Sequence, residues 1–276
     1  MDCDTKYPIV LIHGAGSRDR KHFKYWGRIP GALEKHGATL FFGHQDGWGS
    51  IEYNAGVLKD NLHRIIIENG CEKINLIAHS KGGIDARYMI SSLNMDNEIA
   101  SLTTLATTHH GSKTIDVFLK FPKWSIKAAA LVVNFFSRRL GDKKPDFYRA
   151  IMQLGTEFMK SFNEQNPDAD SVYYQSYAAV MKNAFSDFFL FIPNLVVGLI
   201  EGESDGLVTP ESAAWTNFKG VLRGTTNRGI SHMDEVDARR MNLTKKVLEN
   251  GTSEKMLSDI RSFYISVAAG LKQMGF

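Results

Sequence analysis

The stretch Lys73-Ile-Asn-Leu-Ile-Ala-His-Ser-Lys-Gly-Gly83 carries the strongest structural signal in this chain. A short apolar run leads to Ser80, which is followed by Lys81 and two glycines. This pattern predicts a buried strand that turns sharply into a helix, with the serine hydroxyl at the apex of the turn. The strand and helix backbones nearly touch at such a turn, so small residues are needed two positions before and after the serine. Ala78 and Gly82 meet this need, although Ala78 departs from the strict Gly-x-Ser-x-Gly pattern.

The turn also places Ser80 at a helix N-terminus. The unpaired N–H groups and the dipole of the helix favour a developing negative charge there, which suits a nucleophilic serine. The alternative is an ordinary strand-to-helix turn in which the serine only caps the helix. The turn pattern alone leaves both interpretations open.

Two residues further along the chain favour the catalytic interpretation. Leu195–Ile200 is predicted to be a strand, and it leads into a loop that contains Asp205. His232 lies in a later loop, just before a helix-like segment. A hydrolase with this turn needs its serine, acid and histidine in that order along the chain. Ser80, Asp205 and His232 appear in the required order.

The chemistry of a serine nucleophile assigns the same roles. A serine hydroxyl is a poor nucleophile at neutral pH, so it needs a neighbouring base to take its proton. His232, on the loop after the acid, is the best placed of the nine histidines. The carboxylate of Asp205 would hold the imidazole in the correct tautomer and stabilise its charged form.

The chain resembles the bacterial triacylglycerol lipases of the α/β-hydrolase superfamily. The likeness lies in four stretches that together span nearly the whole chain. They are Pro8-Ile-Val-Leu-Ile-His-Gly14, Ala78-His-Ser-Lys-Gly-Gly83 with Asp85-Ala-Arg-Tyr88, Ser204-Asp-Gly-Leu-Val208, and His232-Met-Asp-Glu-Val236. The resemblance implies that Ser80 is the nucleophile, His232 the base and Asp205 the orienting acid.

An oxyanion formed at Ser80 needs two backbone donors. One is expected to be the N–H of Lys81, the residue after the nucleophile, whose side chain is expected to point to solvent. The second should come from the glycine-rich turn His13–Gly16 after the first strand, and by resemblance it is the N–H of Ala15. A plain glycine turn is the alternative. A phosphate-binding loop is a weak interpretation, because the third glycine and the Lys-Ser/Thr pair of such loops are missing.

The resemblance also suggests a metal site. Asp234 matches the position of a structural calcium ligand in secreted relatives, and Asp187 is a guess for the second acidic ligand. Calcium takes six to eight oxygen ligands, so two carboxylates alone would not complete the site. The chemistry predicted for Ser80 requires no cofactor.

Length and composition fit one α/β-hydrolase domain over residues 1–276. Strand and helix signals alternate as a mostly parallel central sheet flanked by helices requires. With 43% hydrophobic and 23% charged residues, the composition is that of a globular protein. A net charge of +3 with scattered basic residues argues against nucleic acid as a partner.

Residues from about 112 to 170 break the alternation and are predicted to form a helical lid. This insertion contains the apolar run Ala128–Phe136, which is too short to cross a bilayer. We expect the lid to cover the site in water and to lie on a lipid–water interface when open, with Trp124, Phe135 and Phe136 at that interface. Buried core is the alternative for this run. A second apolar run, residues 188–200, is also too short to cross a bilayer. The part of it from Leu195 to Ile200 is expected to lie in the buried core.

The first eight residues are polar and show no signal-peptide pattern. We therefore expect either a cytoplasmic protein or a mature secreted form whose leader has been removed.

Three functional hypotheses follow. The leading one is a serine carboxylester hydrolase, a lipase that cleaves acylglycerols or other lipid esters through an acyl-enzyme. The second is a phospholipase or acyltransferase with the same triad. The third, from a different class, is a non-catalytic lipid-binding relative of the hydrolases.

Overall fold

The computed structural model describes residues 2–18, 25–225, 227–238 and 252–276. Its centre is a six-stranded sheet of order β2-β1-β3-β4-β5-β6 in which every neighbouring pair is parallel. The strands are β1 (Ile9–Ile12), β2 (Leu40–Phe42), β3 (Ile74–His79), β4 (Ile99–Leu105), β5 (Tyr173–Ala179) and β6 (Phe218–Leu222). All carboxyl ends of the strands therefore lie along one edge of the sheet, which is where ligands bind in open α/β sheets.

Helices connect the strands and cover both faces of the sheet. They are α1 (Ile29–Lys35), α2 (Ile51–Asn69), α3 (Lys81–Ser92), α4 (Lys113–Phe118), α5 (Lys123–Arg139), α6 (Phe147–Met152), α7 (Thr156–Gln165), α8 (Phe191–Ile200), α9 (Pro210–Ala213) and α10 (Thr252–Gln273). The predicted fold class, a mostly parallel sheet flanked by helices, is confirmed.

Local signals explain where helix α2 begins and ends. The Ser50 hydroxyl caps α2 by accepting a hydrogen bond from the N–H of Tyr53 at 3.3 Å. Gly70 ends the same helix with a left-handed φ of 62°, a conformation that glycine adopts without steric cost.

The two largest clusters of the hydrophobic core lie one on each face of the sheet. β1, β3 and β4 are buried along their whole length, as parallel strands covered on both faces should be. On one face α1 and α10 contribute Leu33, Tyr264 and Leu271. On the other face α2 and α3 contribute Leu62 and Met89. This packing holds the carboxyl ends of the central strands in place.

Leu195–Ile200 is not a strand, and the prediction that it is buried core is wrong. It forms most of α8, in which Val197 is buried while Leu195, Val196 and Leu199 are exposed. An uninterrupted apolar run has no periodicity that separates a strand from a helix, so the pattern was ambiguous. The strand that precedes Asp205 in the sheet is β5. It was missed because buried polar residues interrupt its pattern: Gln175 donates to the Thr103 hydroxyl of β4 at 2.9 Å.

The segment predicted as an insertion contains four helices, α4 to α7, between β4 and β5. Among the described residues, no helix is both long and apolar enough to cross a membrane.

Candidate active site

Ser80 lies at the sharp turn between β3 and α3, as predicted. Its φ of 54° and ψ of −135° are strained for a residue with a side chain, a cost of order 1–3 kcal/mol. Three hydrogen bonds hold the strained residue. The Ser80 N–H donates to the Leu105 carbonyl at 3.0 Å, and the Ser80 carbonyl accepts from the Thr107 hydroxyl at 2.8 Å and from the Gly83 N–H at 3.1 Å.

Two glycines allow the close approach that the turn requires. A Cβ atom on Gly82 would lie 2.3 Å from the His13 carbonyl oxygen. A Cβ atom on Gly14 would lie 2.7 Å from the Cβ atom of Ser80. The loop after β1 is therefore packed directly against the serine.

Asp205 and His232 form the pair that the sequence predicts. The carboxylate oxygen Oδ2 of Asp205 lies 2.7 Å from Nδ1 of His232, and Asp205 is fully buried. The other oxygen, Oδ1, accepts hydrogen bonds from the N–H groups of Leu207 and Val208, both at 2.8 Å. The His232 N–H also donates to the Asp205 carbonyl at 2.9 Å, so backbone and side chain bind the two loops together.

The ring of His232 packs against the ring of the residue that precedes Ser80. The His232 and His79 rings lie 4.4 Å apart between centroids, and His79 directly precedes Ser80. Within the described residues, no hydrogen bond joins the Ser80 hydroxyl to His232. Catalytic hydrogen bonds of this kind are often long without substrate and tighten in the reacting complex.

A second acid, Glu235, lies beside this pair and was not predicted. Its Oε2 atom is 2.6 Å from Nε2 of His79 and 3.7 Å from Nδ1 of His232. Nδ1 of His79 lies 2.6 Å from the Tyr25 hydroxyl, which accepts a hydrogen bond from the Gly14 N–H at 2.9 Å. A buried chain of hydrogen bonds thus runs from the loop after β1 to the side chains around Asp205. The local signal for Glu235 was its spacing of three residues from His232.

The buried surroundings of His79 and Glu235 favour the neutral form of both side chains. Burial, with His232 and His13 nearby, lowers the pKa of the His79 imidazole well below its ordinary value, so this ring is neutral. Burial, with Asp205 next to it, raises the pKa of the Glu235 carboxyl well above its ordinary value. A protonated Glu235 can donate a hydrogen bond to Asp205, whereas two ionised carboxylates would repel each other. His79, His232 and Glu235 also lie close enough together to hold a metal ion, but their contacts already form this network.

Of the two predicted oxyanion donors, Lys81 directly follows Ser80, and Ala15 directly follows Gly14, which packs against the Ser80 side chain. Lys81 is the first residue of α3, so its N–H has no partner within the helix. The amides on either side of Ala15 are occupied: the Gly14 N–H donates to Tyr25, and the Gly16 N–H donates to the Gly47 carbonyl at 3.0 Å. In the part of the chain that is described, the Ala15 N–H has no such partner. Both N–H groups are thus available near the serine.

The Lys81 side chain does not point to solvent, which corrects the prediction. It is 1% exposed, and its Nζ atom lies 2.6 Å from Oδ1 of Asp85, one helical turn later. The Asn54 side-chain amide of α2 donates to the other oxygen of Asp85 at 2.9 Å. The Lys81 side chain lies inside the protein because its ammonium group pairs there with the buried Asp85 carboxylate, which Asn54 also binds.

The two candidate calcium ligands, Asp187 and Asp234, both form hydrogen bonds with Ser231. Oδ2 of Asp187 accepts a hydrogen bond from the Ser231 hydroxyl at 2.7 Å, and Oδ2 of Asp234 accepts one from the Ser231 N–H at 3.1 Å. Both aspartates are buried. These are hard oxygen donors of the kind that calcium prefers.

The three aromatic residues expected at a lipid interface are exposed on α5. Trp124 is 75% exposed, and Phe135 and Phe136 are more than half exposed. The inward side of the helix is formed by Ile126, Ala130 and Ser137. The alternative of buried core for this run is therefore wrong for the two phenylalanines.

Comparison with known proteins decides the family. Residues 7–262 match the family described as alpha/beta hydrolase fold. The chain belongs to the α/β-hydrolase family. This α/β-hydrolase is 29% identical to triacylglycerol lipase 2 of Saccharomyces cerevisiae, over 99% of this chain and 78% of the yeast protein. It is 28% identical to a triacylglycerol lipase of Vibrio cholerae, over 84% of this chain and 80% of that protein.

A solved structure shows the same fold. The lipase of Staphylococcus hyicus superposes with a TM-score of 0.73 at 16% identity, covering 98% of this α/β-hydrolase and 97% of that chain. The predicted resemblance to the triacylglycerol lipases is confirmed by these relatives. As predicted, the protein is an enzyme, a hydrolase of the lipase and esterase type.

Proposed function

We propose that this protein is a serine carboxylester hydrolase that cleaves acylglycerols or related lipid esters by way of an acyl-enzyme. The observation that carries the proposal is the 2.7 Å contact between Asp205 and Nδ1 of His232, with the His232 ring against the residue that precedes Ser80. This leaves the far nitrogen of the ring, Nε2, to act on the serine. The names of the relatives at 28–29% identity support an ester of a lipid as the substrate.

In the proposed mechanism, Nε2 of His232 takes the proton of the Ser80 hydroxyl while the oxygen attacks the ester carbonyl. Asp205 keeps the proton of the imidazole on Nδ1 and stabilises the imidazolium that forms. The N–H groups of Ala15 and Lys81 donate to the oxyanion of the tetrahedral intermediate, an interaction worth about 3–4 kcal/mol per donor in enzymes of this kind. The imidazolium then protonates the departing alcohol, and water releases the acid from Ser80 by the same steps.

The substitution Ser80→Ala tests the proposal. Without the nucleophile, we expect kcat on a short water-soluble ester to fall by about 10⁶-fold, and a fluorophosphonate ester should label the wild type but not the variant. Ser266→Ala, which removes an exposed hydroxyl on α10, is the matched control and should keep both activity and labelling. Full turnover by Ser80→Ala would reject the mechanism.

The same reagents separate the alternatives. Labelling of Ser80 excludes a non-catalytic lipid-binding relative. Comparing triacylglycerol, phospholipid and water-soluble esters, from acetyl to stearoyl, separates a lipase from a phospholipase. Acyl transfer to an added alcohol in place of water would identify an acyltransferase.

The proposal includes a lid and a lipid–water interface. The exposed apolar side of α5 supports this part of the proposal, because exposure of Trp124, Phe135 and Phe136 to water is unfavourable. In this proposal α5 covers Ser80 in water and lies on the lipid surface when it opens.

The proposed chemistry needs no cofactor. Asp187 and Asp234 would hold a calcium ion beside Ser231, and its contribution would be to bind the Asp187 segment to the His232 loop.

A further inference from the structure

We propose that α5 and α8 together form a docking surface for an anionic lipid bilayer, in which both helices supply exposed apolar side chains and the α4–α5 segment supplies the basic ones. The inference deepens the proposed function by assigning the surface from which the lipid substrate is taken, and it rests on that function.

The first observation is that the exposed apolar side chains are concentrated in two segments. Residues 117–140 and 185–199 contain 15 of the 21 large apolar side chains that are exposed in the described part of the chain. On α5 and its approach they are Val117, Phe121, Trp124, Leu131, Val132, Phe135, Phe136 and Leu140. On α8 and its approach they are Phe185, Phe188, Phe189, Ile192, Leu195, Val196 and Leu199. An exposed apolar area of this extent marks an interaction surface.

The second observation is that both segments lie at the edge of the sheet that holds the active site. α4 and α5 follow the carboxyl end of β4, and α8 lies between the carboxyl end of β5 and Asp205. The end of α8 is bound to the start of α4. Oε1 of Glu201 accepts hydrogen bonds from the Ser112 hydroxyl and from the Thr114 N–H, both at 2.7 Å.

The third observation is the charge of the α4–α5 segment, which selects the partner. Residues 113–144 contain eight basic and two acidic residues, a formal charge of +6, whereas the whole chain carries +3. All eight basic side chains are exposed, and none forms a salt bridge within the described part of the chain. They are Lys113, Lys120, Lys123, Lys127, Arg138, Arg139, Lys143 and Lys144.

The two acidic side chains of the segment point into the protein. Asp116 accepts hydrogen bonds from the N–H and the hydroxyl of Thr156, at 3.0 and 2.6 Å. Asp142 accepts hydrogen bonds from the N–H groups of Gly47 and Trp48, both at 3.0 Å. The outward charge of the segment is therefore wholly basic.

An anionic bilayer matches this combination. Apolar side chains between basic ones are the features of a helix that lies in the headgroup region of a membrane. The negative surface potential of anionic lipids attracts each nearby lysine or arginine by an amount equivalent to about fivefold in affinity. A neutral bilayer would satisfy only the apolar side chains.

Vesicle flotation tests the inference, with the Ser80→Ala variant as the starting protein so that binding is measured without hydrolysis. We expect binding to vesicles of phosphatidylcholine mixed with phosphatidylglycerol, much weaker binding to phosphatidylcholine alone, and loss of the difference at high salt. A failure of hydrolysis by the wild type would reject the proposed function, whereas a failure of this variant to bind vesicles would reject the docking surface.

Charge variants locate the surface. The triple substitution Lys120→Gln, Lys123→Gln and Arg138→Gln should weaken binding to the anionic vesicles by about 100-fold. Lys35→Gln, Lys73→Gln and Lys219→Gln remove the same charge near the amino ends of strands, at the opposite edge of the sheet, and should leave binding unchanged. In the otherwise wild-type enzyme, neither triple variant should change kcat on a soluble short ester.

Apolar variants test the contribution of α8. Leu199→Ser should weaken vesicle binding by about tenfold, whereas Ile67→Ser on α2, at similar exposure (79% against 88%), should have no effect. Equal binding to neutral and anionic vesicles, or equal effects of both triple variants, would overturn the inference. So would a stable dimer that Leu199→Ser dissociates in a protein that binds no vesicles, because a second copy would then be the occupant.

Discussion

Glu235 lies three residues after His232, and folding brings its carboxyl against His79 and towards Asp205. It is fully buried, and its Oε1 atom has no hydrogen-bond partner among the described residues when the carboxyl is ionised. Protonation turns this oxygen into a donor and removes the repulsion from Asp205. In its protonated form, Glu235 would leave a single negative charge next to His232 while it holds His79 in place.

Replacing Glu235 by glutamine should make the protein more stable relative to the wild type as the pH rises. The unfolded chain releases the Glu235 proton near pH 4.3, whereas burial raises the pKa of this carboxyl in the folded state. Between these two pKa values the folded state binds more protons than the unfolded one. The wild type therefore loses up to about 1.4 kcal/mol of stability per pH unit that the neutral glutamine does not lose.

Urea unfolding of both proteins between about pH 4 and pH 7 measures this difference. The control is Glu203→Gln, since the hydrogen bond from Arg223 lowers the pKa of the exposed Glu203 and should give a small pH effect of opposite sign. A difference between wild type and Glu235→Gln that does not change with pH would show that Glu235 is ionised in the folded protein.

Helix α3 begins directly after Ser80 and is anchored by a buried ion pair. Lys81 and Asp85, one turn apart, are both almost fully buried, and Asn54 connects the pair to α2. Burial raises the pKa of the Asp85 carboxyl, while Lys81 works against that rise. Such a pair contributes little net stability compared with apolar residues, but it is costly to break.

Asp85→Asn should therefore destabilise the protein by about 3–5 kcal/mol, because it leaves the Lys81 ammonium buried without a counter-charge. The double variant Lys81→Met and Asp85→Leu should recover most of that loss, since it buries no charge. Denaturant unfolding measures both, and Glu203→Gln, which breaks an exposed ion pair, should cost far less. If Asp85→Asn cost as little as that control, the pair would not be buried as described.

The connections at the carboxyl edge of the sheet join parts of the chain that lie far apart in sequence. The Asp187 segment follows β5 and precedes α8, while Asp234 follows His232, and both carboxylates bind Ser231. A cation held there would connect the α8 segment to the catalytic loop. Its effect would be on stability and not on the chemical step.

Calcium should raise the melting temperature of the protein, and chelation should lower it. At a calcium concentration about 100 times the dissociation constant, the free energy of unfolding should increase by about 2.7 kcal/mol. Asp234→Asn should abolish the shift, whereas kcat at a temperature where the protein stays folded should be the same with calcium and with chelator. A melting temperature that calcium does not change would reject the site.

The residues proposed to carry the chemistry could be predicted from the sequence because each follows a local rule. The turn at Ser80 needs small neighbours, and the order Ser80, Asp205, His232 is set by the direction of the chain through a parallel sheet. The central strands β1, β3 and β4 are rich in apolar residues and buried along their length because both faces are covered. These features depend on a few adjacent residues, so they can be read without coordinates.

The inward side chain of Lys81, the exposure of α8 and the position of Glu235 depend on partners far away in the chain. Lys81 turns inward because α2 brings Asn54 to Asp85, and the pKa of Glu235 is raised because folding buries its carboxyl beside Asp205. Residues 195–200 form a helix at the surface because β5 takes the place in the sheet that their apolar pattern suggested. Local pattern was enough to predict which residues we propose to react. Only packing decided which charges are buried and which apolar helices face outward, because burial depends on what the rest of the chain places alongside.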